Sequence, residues 1–234
     1  MFNAESSYSL ARGQQYDEGL RQYMLNVYNY MTFALALTGL VSLGVSMSPI
    51  LVSLVWATPL KWVVLLAPLG ISLFFSFKVG QMTSRVALYW LIAFSLVMGL
   101  SMSSLFVIYK LGSIANAFFI SAITFGVASL YGYTTKRDLT NFGAFLMMGV
   151  IGLVIAGLVN LFLQSSMLTM IVSCLSVLIF TGMTAYETQD LKFLYDVTPA
   201  EEREKVGVVG AFNLYVSFIN IFVALVQLIG DKKE

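Results

Sequence analysis

Two carboxylates and a row of amides are the groups in this chain whose types and spacing could do chemistry. Glu187 and Asp190 stand three residues apart in Thr184-Ala185-Tyr186-Glu187-Thr188-Gln189-Asp190-Leu191-Lys192. On a helix they project from neighbouring positions of one face. Counting back at helical spacing, Ser173, Ser176 and Thr184 fall within a narrow arc around the Glu187 direction, so a hydroxyl-bearing stripe leads to a carboxylate. Further on, Asn213, Ser217, Asn220 and Gln227 follow at spacings of four, three and seven and form one polar stripe on an apolar segment. Such groups handle protons and cations: a carboxylate titrates or binds a cation, and hydroxyl and amide oxygens line the way to it. Two readings stand. In one, Glu187 is the titrating group of a polar path. In the other, Glu187 is a solvated carboxylate at a helix end, and the amides make ordinary inter-helix hydrogen bonds worth under ~1–2 kcal/mol each.

The elements that carry these groups are set by composition. Of 234 residues, 59% are hydrophobic and 11% charged, with a mean hydropathy of +0.85. A soluble domain carries about 25% charged residues, so the solvent that accounts for the deficit is a bilayer. The apolar residues fall in runs near the ~20 residues that cross ~30 Å of hydrocarbon as a helix. The short alternating segments of a membrane barrel do not occur. The reading is an all-α integral membrane protein of seven spanning helices, at about 24–46, 60–77, 86–109, 114–131, 142–163, 168–186 and 208–229. Residues 1–23 are expected as a polar tail, 24–230 as the membrane domain and 231–234 as a short C-terminal tail. The polar tail lacks the apolar core of a cleavable signal. Small residues such as Ala122, Gly126, Gly149, Gly152 and Ala156 point to close helix packing.

Charge orients the spans. Of the 13 Lys and Arg residues, Arg12, Arg21, Lys78, Arg85, Lys136, Arg137, Lys192, Arg203 and Lys205 share one side. Lys61, Lys110, Lys232 and Lys233 share the other. Basic excess marks the cytoplasmic side, so the N-terminus is expected there and the C-terminus outside. The Lys232–Lys233 pair favours a lesser alternative, six full spans with the last segment re-entrant. Lys78 is a candidate basic partner for Glu187, or else a snorkelling anchor. The run Glu201, Glu202, Arg203, Glu204, Lys205 reads as a solvated loop.

Several chemistries are excluded or disfavoured. No histidine exists, which removes Ser-His and Cys-His nucleophiles, histidine metal ligands and the usual near-neutral switch. The lone Cys174 can form no intramolecular disulfide. A net charge of +1 gives no pull on nucleic acid. Neither catalytic residues nor a cofactor is expected.

Four stretches carry a family likeness: Gly99-Leu100-Ser101-Met102-Ser103-Ser104; Phe125-Gly126-Val127-Ala128-Ser129-Leu130-Tyr131-Gly132-Tyr133-Thr134-Thr135-Lys136-Arg137-Asp138; Thr184-Ala185-Tyr186-Glu187-Thr188-Gln189; and Leu214-Tyr215-Val216-Ser217-Phe218-Ile219-Asn220. Through them, nearly the whole chain resembles the transmembrane Bax-inhibitor-motif family (the Bax inhibitor one group), in its bacterial inner-membrane branch. The resemblance implies a seven-helix bundle with the last helix near its centre. It also implies a pH-sensitive calcium leak, gated by two aspartates that share a proton, one at the end of span six and one in span seven. Here those positions hold Glu187 and Ser217. Glu187 keeps the charge and adds a methylene, whereas Ser217 cannot ionise, so the coupled acid pair is absent as such. One carboxylate with Asn213, Ser217 and Asn220 is a poor calcium site, because calcium prefers several oxygens with carboxylate charge. The same branch includes a regulator of a membrane-bound AAA protease. That resemblance implies an alternative without ion conduction: an interaction protein in proteolysis or stress survival, with residues 1–23 as the handle for a partner.

Overall fold

The long apolar runs become helices because hydrocarbon leaves backbone N–H and C=O groups no partner but each other. In the computed structural model, which describes the backbone of residues 2–233 and the side chains of residues 18–233, the chain forms eight α-helices. These are α1 (Phe2–Ser46), α2 (Pro49–Trp56), α3 (Leu60–Lys78), α4 (Ser84–Ile108), α5 (Leu111–Thr134), α6 (Thr140–Leu163), α7 (Ser166–Val197) and α8 (Arg203–Ile229). All but α2 are long and apolar enough to cross a membrane, which makes seven candidate spans. Local signals set several of their ends. Ser48 accepts from Leu51 N and Pro49 occupies the first turn of the short α2. Thr83 likewise caps α4 through Val86 N. The α6–α7 turn needs only Gln164 and Ser165: Gln164 takes the left-handed conformation at φ 50°, and Asn160 Oδ1 accepts from Ser165 N at 3.0 Å. Ser165 then caps α7.

Two boundaries differ from the sequence reading. Helix α7 reaches Val197, beyond the apolar run that ends near Tyr186, because Leu191, Leu194 and Tyr195 keep an apolar face where charges appear on the other. Helix α1 runs through residues 23 and 24 without a break, and Leu20 and Tyr23 are buried in the core, with the Tyr23 ring tilted against Tyr195 at 5.3 Å.

Helix α8 is central. In its apolar stretch 72% of residues are buried, against 11% in α6, and it packs on α1, α4, α5 and α7. It is no re-entrant segment. It traverses the bundle, and beyond its end Lys110 N donates to Asp231 O at 2.9 Å and Lys233 N to Ile108 O at 2.8 Å, at the α4–α5 turn. Two glycines let α7 approach its neighbours. A Cβ on Gly132 of α5 would lie 2.1 Å from Ala185 O, and one on Gly210 of α8 would lie 2.1 Å from Leu191 Cδ2. Among the small residues singled out above, Gly149 meets Ile179, but Gly126 and Gly152 face open space and make no close helix contact.

Candidate functional site

Glu187 is not at a helix end. Roughly three turns of α7 follow it, and its side chain is half-buried. Ser217 on α8, only 1% exposed, donates its hydroxyl to Glu187 Oε2 at 2.8 Å. This hydrogen bond ties α7 to α8.

On one side of that bond lies a cavity of about 420 Å³. Helix α7 supplies Tyr186, Glu187 and Asp190, α8 supplies Lys205 and Asn213, and Val79 and Gly80 close it from the turn after α3. A second cavity of about 580 Å³ adjoins it, lined by Lys136, Arg137 and Asp138 of the α5–α6 turn. Tyr186 and Asp190 line both. Asp138, outside the spans, is held below the usual carboxylate range by side-chain and backbone hydrogen bonds from Thr140, and it stays anionic through mildly acidic pH. Gln189 fixes the turn to α7: its Oε1 accepts from Leu139 N and its Nε2 donates to Arg137 O, both at 2.8 Å.

On the other side of the bond lies a smaller cavity of about 210 Å³, with Ser173, Ser176, Asn220 and Gln227 in its lining. Ser173 donates to Gln227 Oε1 at 2.7 Å. Asn220 spends its amide on Val216 O of its own helix. Phe180, Ile221 and Leu153 pack into an apolar cluster, and Phe180 and Leu153 also line this smaller cavity.

The structure thus sorts the residues singled out from the sequence. It brings Glu187, Asp190 and Asn213 to one cavity and joins Glu187 to Ser217, while Asn220 lies in the other chamber. Glu187, Asn213, Ser217 and Asn220 therefore do not form one ligand set. Among the described residues, no three His, Cys, Asp or Glu side chains cluster as metal ligands. Thr184 does not continue the hydroxyl stripe, because it is buried and returns its proton to Phe180 O. Lys78 is exposed and forms no ion pair among the described residues. The cation in the cavity lining is Lys205, which also pairs with Glu202 at 3.5 Å.

Sequence reading missed Lys205 because it placed that residue in a loop, whereas α8 begins at Arg203. The signal was present: Lys205, Val209, Asn213 and Ser217 recur at intervals of four, one row of a helix. Also missed was a hydroxyl chain joining three helices, in which Tyr28 of α1 pairs with Ser129 of α5 and Thr188 of α7 donates to Ser129 Oγ at 3.1 Å. No sequence periodicity could reveal it, since its members sit on separate helices.

Residues 20–234 match the family described as inhibitor of apoptosis-promoting Bax1. An uncharacterized protein of Rickettsia prowazekii is 43% identical over 228 residues, spanning 96% of this chain and 95% of its own. The inner membrane protein YbhL of Escherichia coli K12 is 36% identical over 219 residues, 92% of this chain and 94% of that protein. An uncharacterized membrane protein of Streptococcus pyogenes serotype M1 is 30% identical over 219 residues, 92% and 95% of the two chains. With likeness sustained along the full length of each pair, and with a seven-span bundle wound around its last helix, the chain belongs to the Bax inhibitor family.

Proposed function

We propose that this protein is a proton-sensitive cation leak of a bacterial inner membrane, with its N-terminus in the cytoplasm. Calcium is the proposed cation, since carboxylate, hydroxyl and amide oxygens suit a hard ion. The observation that supports this most is the 2.8 Å bond from Ser217 to Glu187 at the junction of two polar chambers on one helix seam. An acid held inside a span is costly unless it has a task.

In this reading Glu187 is both attractor and latch. Its ionised carboxylate draws a cation into the larger chamber, and protons compete for the same oxygens. Transit requires Glu187 and Ser217 to part. Lys205, in the lining of the same chamber, offsets their charge and keeps binding weak, as a leak needs. The basic excess on one face supports the orientation, and the naming of the Escherichia coli relative as an inner membrane protein supports the location.

Reconstitution into liposomes tests this. Calcium entry above that of empty liposomes is expected, falling as the pH is lowered. Ser217→Asp, which sets a second carboxyl where the hydroxyl now meets Glu187, is expected to steepen the pH response because two close carboxyls share a proton. Calcium entry no faster than into empty liposomes would overturn the proposal.

A further inference from the structure

Helix α1 turns one side to α4 and α8 and a flank to α5, across an apolar cavity of about 350 Å³. Its remaining side faces out of the bundle. Gln22, Asn26, Asn29, Phe33, Ala36 and Leu40 stand on that side, and all six are exposed. Their spacings of four, three, four, three and four place them on one stripe with the period of a coiled-coil seam. Phe33 and Leu40, 54% and 69% exposed, suit a lipid-facing surface. The amides do not suit it.

Two of these amides have hydrogen-bonding capacity to spare. Gln22 Nε2 donates to Asn26 Oδ1 at 3.1 Å, which leaves the Asn26 side-chain N–H groups unspent among the described residues. Asn29 makes no side-chain hydrogen bond among the described residues. At membrane depth an amide without a partner is costly.

Bonds inside the bundle set their depth. Tyr28 pairs with Ser129 of α5. Helix α5 ends five residues later at Thr134, about 8 Å further along, and Lys136, Arg137 and Asp138 follow in the turn. Such charges lie in the polar layer, which is about 5–8 Å thick on each side of the hydrocarbon. Asn29, one residue deeper than Tyr28, therefore stands in the hydrocarbon. Asn26, about 5 Å nearer the turn, stands at its edge.

An amide both donates and accepts, so the same amide on an identical chain complements it. Two copies in one bilayer share an orientation, and a two-fold axis along the membrane normal sets each residue of the stripe against its own counterpart. Asparagine in such a seam fixes a parallel register, and amide hydrogen bonds join helices in hydrocarbon. We infer that two copies of this chain pair through the outward face of α1, with Asn26 and Asn29 hydrogen-bonded across the axis. Phe33, Ala36 and Leu40 pack along the rest of the seam.

The test uses the full-length protein in phosphatidylethanolamine–phosphatidylglycerol vesicles, with Cys174→Ser to remove the one native thiol. Single cysteines are introduced and oxidised, and the disulfide-linked dimer is read at falling protein-to-lipid ratio. Ala36→Cys and Leu40→Cys are expected to link two copies, whereas Ile155→Cys, 58% exposed on α6, should give only the yield of random collision. This comparison reads the face with both asparagines intact. In the Ala36→Cys protein, Asn29→Ala should weaken pairing about fivefold, the ratio of one inter-helix amide bond. Adding Asn26→Ala should weaken it again by a similar factor, while Asn29→Gln, which keeps an amide, should pair better than Asn29→Ala. Equal yields from α1 and α6, pairing that survives loss of both asparagines, or cross-links in native membranes that join Ala36→Cys to a different protein instead of a second copy would each overturn the inference.

Discussion

The α7–α8 seam and the α1–α5 cavity flank the same central helix, yet they are built for different media. Toward α7, helix α8 presents the row Lys205, Val209, Asn213 and Ser217, and the facing helix answers with Glu187 and Asp190. Toward α1 and α5 it presents Phe218, Ile219 and Phe222, with Phe118 ring to ring against Phe218 at 5.6 Å. The first flank gathers polar groups along one wall, with Asn213 exposed in it. The second is lined almost wholly by apolar side chains, and the Ser42 hydroxyl in it is buried without a hydrogen bond. In a membrane bundle, burial alone therefore does not define a site; the polarity of what a cavity opens onto does.

This contrast can be strained at its walls, and the largest effect is expected at Gly132. A methyl there would meet Ala185 O at 2.1 Å, a backbone atom that cannot step aside. Gly132→Ala should cost about 3 kcal/mol in detergent thermal unfolding, the upper range for overpacking. Next comes the latch. Ser217→Ala removes the donor to Glu187, and since that carboxylate is half-buried the expected loss is about 1–2 kcal/mol, read in the same melts. A smaller effect of opposite sign is expected in the other cavity, where Gly39→Ala meets open space and should stabilise α1 by about 0.5–1 kcal/mol. The smallest is at Lys78, which is exposed and unpaired among the described residues. Lys78→Gln should leave both stability and calcium flux unchanged, whereas Lys205→Gln should raise flux. Equal responses from the two lysines would remove Lys205 from the seam.

Much of this was legible in the chain. Seven apolar runs gave seven spans because hydrocarbon admits no other use of them, and the period of Asn213, Ser217 and Asn220 placed the α8 stripe. What stayed hidden depended on where helices end and which way single side chains turn. The charges after Tyr186 masked the last three turns of α7, so Glu187 read as a helix-end acid. The acidic run before Lys205 masked the start of α8. Asn220 shares the stripe but not the chamber, since its amide satisfies Val216 O. The cavity beside Ser42 left no periodic trace at all: an absent hydrogen bond is a property of four packed helices.

The central claim is that a proton on Glu187 controls the seam, and the most direct measurement is the pH profile of calcium entry into liposomes for wild type and Glu187→Gln side by side. Wild-type entry is expected to fall on acidification, while the Gln variant, unable to exchange a proton, gives a flat profile. A variant profile that keeps the wild-type pH dependence would contradict it.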